Sequence, residues 1–450
     1  MVVWDPPSRD YEFLFTEVFD AVEAIEGLGF DDFDWEFISM LMEGWGTHVK
    51  EVWLPINELG DRQGLDFEDG NISMPEEFKD AYKRGVEEGW FATSSRTEHG
   101  GMGAPTCFQA VTWAEFGTSA CMSLSVLPAL TSGVYEVLNE HGSHELVDYY
   151  ANKLATGTWT GTMCLTEPHA GTDLGIITTR AEPTEDGTYR ISGTKIFITY
   201  GEHDMTENIV HLVLAKVPGG PEGTKGISLF LVPKYMPAEW KGDGFAGVSY
   251  DLDNDGNGVT CSGSEEKMGL HASPTCVMNF DDSLGWLVGP LHGGMPLMFE
   301  MMNRERLATG MMGLGLAEIA YQNALNWSKE RRQGRDLKGT QSPNEAADNI
   351  LVHPDVRRML LESKVNNEGC RALAAWTGIL LDQMRSDDPE ISESAKGLVA
   401  MFTPVVKAHF TDLGCETASA CMQVMGGAGY CSEYGVEQFY RDVRISKIWE

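Results

Sequence analysis

The sequence predicts a multidomain α+β chain, with a helical N-terminal region, a central β region and a C-terminal helical bundle. Three observations predict it. Apolar residues recur near helical spacing through the first third of the 450 residues, strand-like runs replace them near Gly161, and helical patterns return after WLVGPLHGGM. A chain this long also exceeds what one core can organise and calls for two or three domains.

The elements follow in order. In YEFLFTEVFDAVEAI, Phe13, Val18, Val22 and Ile25 fall near helical spacing, and FDDFDWEFISMLMEGWGTHVKEVWLPI continues the pattern. TEHGGMGAP (Thr97 to Pro105) is a glycine-rich break. VTWAEFGTSACMSLSVLPALTSGVYEVLNEHG and ELVDYYANKLATG read as helices whose Ala, Ser and Gly allow close packing. YRISGTKIFIT, NIVHLVLAKV, GISLFLVPK and TCVMNFDD are short, rich in β-branched or aromatic residues and bounded by turn residues, as strands are. DGTYRISGTK reads as two strands joined by a turn at Ser192-Gly193. Long helices then cover about 297 to 333, a stretch after Pro354 with Asp355 in its first turn, and about 393 to Met425, ending at Gly426-Gly427. The expected division is an extension over 1–40, a helical domain over 41–160, a β domain over 161–284 and a bundle over 285–450. There is no internal repeat and no low-complexity segment.

Composition narrows the function. A net charge of -35, from 68 acidic against 33 basic residues, argues against general nucleic-acid binding, which needs a basic face. No signal-peptide pattern follows Met1, and no apolar run is expected to reach the length of a membrane span. Nine cysteines without CxxC pairs predict a reduced, cytoplasmic setting, and the 11 histidines form no zinc pattern. DLDNDGNG (Asp251 to Gly258) places acids as a calcium loop would. Its twelfth position is Ser262 and its flanks read as strands, so a solvated acidic hairpin is expected and no metal is assigned.

The densest chemical signal is TGTMCLTEPHAGTDLGIITTRA (Thr160 to Ala181), where threonines alternate with glycines around Glu167-Pro168. Glycines let a ligand approach the backbone, and hydroxyls and free amides suit a phosphate or a polar ring edge. Spacing alone favours an ordinary Thr- and Gly-rich lead into a strand. No GxGxxG stands in strand–helix context, so a Rossmann site has no support.

Five segments change that weighting. TEPHAGTDLG resembles the TEPGAGSD signature of the acyl-CoA dehydrogenase family, KIFIT (Lys195 to Thr199) its K-x-W/F-I-T strand, and TEHGGMG its PExxGGxG turn. QVMGGAGY (Gln423 to Tyr430) is similar to QxxGGxGY, and YRDVRISKIWE to RDxxIxxIYEGT. All five stand in the family's order over 97–450. GEHDMTENIVHLVLAKVPGGPEGTKGISLFLVPK, EEKMGLHASPTCVMNFDD and the N-terminal YEFLFTEVFD further resemble a subgroup that includes the 3-methylmercaptopropionyl-CoA dehydrogenases.

The resemblance implies a barrel-like central domain, FAD as cofactor, and oxidation of an acyl-CoA thioester to its trans-2-enoyl form, with electrons passed to an electron-transfer flavoprotein. An oxidase that returns electrons to dioxygen, or a non-catalytic FAD scaffold, are the alternatives. By the same resemblance Glu450 is the catalytic base and Trp449 walls the thioester pocket, while Glu305 stands where another subgroup carries its base. An ion pair of Glu305 with Arg304 or Arg306 is the plain alternative. Met163, Leu165 and Thr166 would meet the flavin edge, and Phe197, Ile198 and Thr199 its ring and N5 side. Thr172 would touch the CoA chain, and Asn303 and Arg306 the substrate side. Arg331, Gln423, Gly426 and Gly427 would reach the FAD of a neighbouring subunit, which implies a homodimer or homotetramer. The family's last motif continues past the glutamate, so a chain truncated at its C-terminus is expected.

Overall fold

The computed structural model of the chain describes residues 2–236 and 256–449. Glu450 and the acidic run 251–255 lie outside the described residues.

The chain opens with two short helices, α1 (Ser8–Phe13) and α2 (Ala21–Ala24). Asp20 lies between them at φ 43°, a left-handed value that breaks the helical register. Tyr11, Leu14, Phe15, Ala21 and Ile25 point inward, whereas Phe13 and Val18 are exposed. Of the four residues read as near helical spacing, Ile25 is buried and Val22 half-buried, while Phe13 and Val18 face solvent; on a helix of about 100° per residue Phe13 already stands about 120° or more from the other three.

α3 (Trp35–His48) starts where the Asp34 carboxylate accepts the Phe37 N–H at 2.8 Å, an N-cap that replaces a missing helical acceptor. α4 (Leu54–Gln63), the small hairpin β1 (Asp66–Glu68) with β2 (Asn71–Ser73), and α5 (Glu76–Glu87) follow. The short α6 (Thr106–Phe108) leads into α7 (Ala114–His141), and α8 (His144–Ala155) closes the helical region. Over 106–141 the helix is long and apolar enough to cross a membrane, against the expectation that no run reaches that length. Its apolar window is 72% buried within the protein, so that apolarity is what a central core helix requires.

The β region comprises β3 (Thr160–Cys164), β4 (Arg180–Pro183), β5 (Tyr189–Thr199), β6 (Ile209–Lys216), β7 (Ile227–Pro233), β8 (Val259–Ser264) and β9 (Thr275–Val288). They pair in the order β3-β6-β4-β5-β9-β7, with β8 on β9 and a further β6–β7 pairing. The sheet thus curls back on itself, and its β4–β6 seam is the single pair Arg180↔Lys216. It is a curled sheet with that weak seam rather than an evenly laddered barrel. β5 runs unbroken through Ser192 and Gly193, correcting the expected turn. The turn lies upstream, where Thr184 N–H donates to Thr188 O at 2.9 Å. Gly193 serves close packing instead: a Cβ there would stand 2.3 Å from Thr179 Oγ1.

Four helices complete the chain: α9 (Gly294–Glu330), α10 (Pro354–Gln383), α11 (Pro389–Met425) and α12 (Val436–Val443). α11 stops at Gly426, whose φ of 63° suits glycine. α9 and α11 pack backbone to backbone, since a Cβ on Gly414 would meet Gly313 O at 2.7 Å. One core cluster unites the helical regions. A second joins α7 and α8 to the sheet and to the start of α9.

Candidate active site

β3 carries Met163, and the chain just beyond it carries Leu165 and Thr166, to the sheet edge where β5 presents Phe197, Ile198 and Thr199. The two segments are joined by Ile196 N–H, which donates to Thr166 O at 2.9 Å. Against β9, β5 advances from Lys195 to Ile198 while its partner advances only from Met278 to Cys276. The extra residue is a bulge, and Phe197 in it adopts φ 60°. Such backbone costs about 1–3 kcal/mol and persists only where its surroundings hold it. Its consequence is a phenyl ring turned outward, 59% exposed, above the buried Ile198.

A buried ion pair holds the bulge in place. Lys195 Nζ donates to Leu165 O and to Glu167 Oε1, both at 2.9 Å. Glu167 also accepts the amides of Thr178 and Thr179, at 2.7 and 3.0 Å, and their hydroxyls, at 2.9 and 2.6 Å. Burial alone would raise the Glu167 pKa; the Lys195 ammonium and these donors outweigh it and hold the carboxyl at about 2. Neither residue was given a role by the sequence. The available signal was a lysine inside the apolar KIFIT strand, which must find a partner if it faces inward.

The second component is a cavity of about 140 Å³ between α7 and α9. Glu305, 5% exposed, lines one end of it, where a Cβ on Gly133 would lie 3.0 Å from its Oε1. The next α7 residue, Val134, packs on Gly161 of β3: a Cβ on that glycine would come within 2.6 Å of it. The Glu305 end of the cavity therefore lies on the same turn of α7 that packs on β3, the strand that carries Met163. Trp45, Trp53, Trp90 and Trp113 also line the cavity, and the sequence reading missed all four.

The remaining candidates fall into two places. Asn303 and Arg306 lie on α9 beside Glu305; Arg306 Nη1 donates to Asn303 Oδ1 at 3.1 Å, with its guanidinium 5.7 Å from the Phe299 ring. Arg304 pairs with Glu136 at 3.0 Å. Thr172 is exposed on the loop after β3. Arg331 caps the opposite end of α9, about 40 Å from Asn303 at 1.5 Å per residue. Near that far end, Tyr434 meets Trp327 at 5.6 Å, so the exposed Gln423, Gly426 and Gly427 stand with Arg331 rather than with the first group. Trp449 is half-buried, and its indole N–H has no acceptor among the described residues.

The acyl-CoA dehydrogenase N-terminal, middle and C-terminal domain families match residues 65–158, 162–283 and 292–450. The 3-methylmercaptopropionyl-CoA dehydrogenase of Ruegeria pomeroyi is 41% identical over 451 residues, covering 100% of this chain and 74% of that protein. The chain belongs to the acyl-CoA dehydrogenase family. A butyryl-CoA dehydrogenase of Syntrophomonas wolfei is 37% identical, over 89% of this chain and 65% of its own length. An acyl-CoA dehydrogenase from Bacillus anthracis, solved with FAD, has the same fold at a TM-score of 0.74 and 23% identity, covering 93% of this chain and 65% of its own.

Family membership makes the chain an FAD-dependent oxidoreductase. Its residues fit that cofactor. Phe197 offers an exposed aromatic face on a fixed bulge, flanked by Thr166 and Thr199, as a planar ring with polar edges requires. No group of three or more histidine, cysteine or acidic side chains among the described residues could hold a metal ion.

Proposed function

We propose that this enzyme oxidises an acyl-CoA thioester to the trans-2-enoyl-CoA, with a short thioether or short-to-medium acyl chain as substrate. The observation that carries the reading is the cavity that has a buried carboxylate at one end, near the strand of the flavin-edge residues. The relative's substrate, 3-methylmercaptopropionyl-CoA, is the first thioether to test. Bound FAD supplies the acceptor for the β hydrogen. The chain's own residues position the thioester and take the α proton. Glu450, from the RDVRISKIWE segment, is that base, and Trp449 walls the thioester. Glu305 is the alternative base, its carboxylate buried at one end of the cavity. Met163, Leu165 and Thr166 line the flavin edge, and Phe197, Ile198 and Thr199 its face and N5 side. Thr172, Asn303 and Arg306 meet the CoA and substrate. Arg331, Gln423, Gly426 and Gly427, at the far end of α9, reach the FAD of a second copy in a homodimer or homotetramer. An electron-transfer flavoprotein accepts the electrons.

Anaerobic titration with candidate acyl-CoAs tests the reading. Flavin bleaching without peroxide on exposure to air is expected. Stoichiometric peroxide would identify an oxidase, and failure of every thioester to bleach the flavin would leave a scaffold. Glu450→Gln is expected to abolish bleaching while Glu305→Gln retains it; the reverse result reassigns the base.

A further inference from the structure

The cavity is deeper than a short acyl group needs. Its walls are helical stripes: Ser125, Ala129 and Gly133 on α7, and Glu305, Ala308 and Met312 on α9. Each stripe covers two turns, about 11 Å at 1.5 Å per residue. Contacts fix which end is which. Gly133 meets Glu305 at one end, as described. At the other, Thr118 Oγ1 lies 3.3 Å from Ser125 Oγ, and Ser119 donates to Gly315 O at 2.8 Å, one turn beyond Met312. A Cβ on Gly117 would lie 3.2 Å from the Trp53 ring and 3.4 Å from Trp45. Glu305 and the indoles therefore stand toward opposite ends.

The indole end is tightly built. Trp45 stacks on Trp113 at 5.8 Å and 5°, and Trp53 stands edge-on to Trp45 at 5.2 Å and 82°. Trp45 spends its N–H on the Trp113 carbonyl at 3.2 Å, and Trp90 donates to Glu88 at 2.8 Å. Those donors are committed elsewhere, so these two rings offer the cavity apolar carbon surface. A tail of four single bonds beyond the thioester carbon, each about 1.5 Å, spans at most about 6 Å. It would leave roughly half of an 11 Å channel unfilled.

We propose that Trp45, Trp53, Trp90 and Trp113 form the stop that sets acyl-chain length, and that the cavity takes an unbranched apolar tail of medium length, about seven bonds of 1.5 Å. The proposal rests on the acyl-CoA dehydrogenase reading and refines its substrate class. Burying an added methylene is favourable by about fourfold in affinity, so the gain should continue until the tail meets the indoles.

The test uses the full FAD-loaded chain with butanoyl-, octanoyl- and hexadecanoyl-CoA, read by tryptophan emission and by flavin bleaching. Octanoyl-CoA is expected to bind at least tenfold tighter than butanoyl-CoA and to change tryptophan emission; hexadecanoyl-CoA should bind no tighter than octanoyl-CoA. Ala129→Met, which fills the middle of the channel, should weaken octanoyl-CoA at least tenfold more than butanoyl-CoA. Trp90→Leu, at a half-buried position the fold can tolerate, should move the optimum to longer chains. Equal affinity for butanoyl- and octanoyl-CoA, or equal weakening of both by Ala129→Met, would overturn the inference while leaving the dehydrogenase reading intact. If no thioester bleaches the flavin, that reading fails and this inference fails with it.

Discussion

Phe197 shows how one residue's strain depends on another's charge. Its left-handed backbone would relax in an ordinary strand, yet the segments on either side are tied down through Lys195 and Glu167. Replacing Lys195 by Met would leave Glu167 as a buried carboxylate without a counter-charge, a change that typically costs about 3–5 kcal/mol. We expect Lys195→Met to lose stability in that range by urea denaturation and to weaken FAD binding as read by flavin fluorescence. Lys195→Met/Glu167→Gln should recover part of the stability, because the stranded charge is gone. If Lys195→Met matches the parent in both measurements, the pair does not hold the bulge. The pH dependence has a definite sign. Glu167 is lowered from 4.5 to about 2, so its contribution is complete above about pH 4.5 and is lost as pH falls through about 2. The Glu167→Gln protein should therefore lose less stability than the parent across that window.

At the scale of elements, α12 is fastened to the loop before β9 by Asp442. Its carboxylate, buried, accepts Leu270 N–H at 2.7 Å and Gln438 Nε2 at 3.1 Å. Burial first, and then the nearby Asp61, raise its pKa to about 6 against the lowering effect of these donors and of Arg441. A folded pKa above the ordinary 3.8 means that its contribution is complete below about pH 3.8 and is lost as pH rises through about 6. Asp442→Asn, which stays uncharged, should flatten the fall in melting temperature between pH 5 and pH 8; an unchanged slope would show that Asp442 does not titrate there. Elements of this kind were unevenly legible. The long bundle helices were readable because their apolar positions repeat over many turns, and the strands because β-branched runs end in turn residues. The break before α2 was not, since periodicity does not report a left-handed Asp20. Ser192-Gly193 misled because glycine in a strand marks either a turn or a close approach, and only the contact with Thr179 decides. In the site, the motif segments pointed to the sheet edge at Thr166 and Phe197. The Lys195–Glu167 pair spans 28 positions and the Trp45–Trp113 contact 68, separations that no local pattern encodes.

At the scale of the molecule, a chain with a net charge of -35 still buries carboxylates at its centre, and one cation organises them. Arg371 of α10, 1% exposed, donates to Glu115 of α7 at 2.6 and 3.1 Å, to Glu318 of α9 at 3.0 Å and to Asp10 of α1 at 2.7 Å. The Tyr11 hydroxyl adds a 2.5 Å bond to Glu115. Segments more than 350 positions apart thus meet at one guanidinium, the N-terminal helix among them. Burial raises the Glu115 pKa despite Arg371, whereas Glu318 is lowered because Arg371 and its amide donors outweigh burial. Arg371→Met would strand both carboxylates, and removing one partner of such a buried network typically costs about 3–5 kcal/mol. We expect a lower denaturation midpoint together with earlier proteolytic cleavage before Trp35, since α1 loses its anchor. Arg371→Lys should not restore the parent midpoint, because an ammonium has three donors and lacks the planar fork that spans three carboxylates. Full recovery by lysine would show that the planar fork is not needed. An Arg371→Met protein whose midpoint and cleavage pattern match the parent would show that other contacts, such as those of Asn323 with Val3, hold the N-terminal segment to the bundle without this guanidinium.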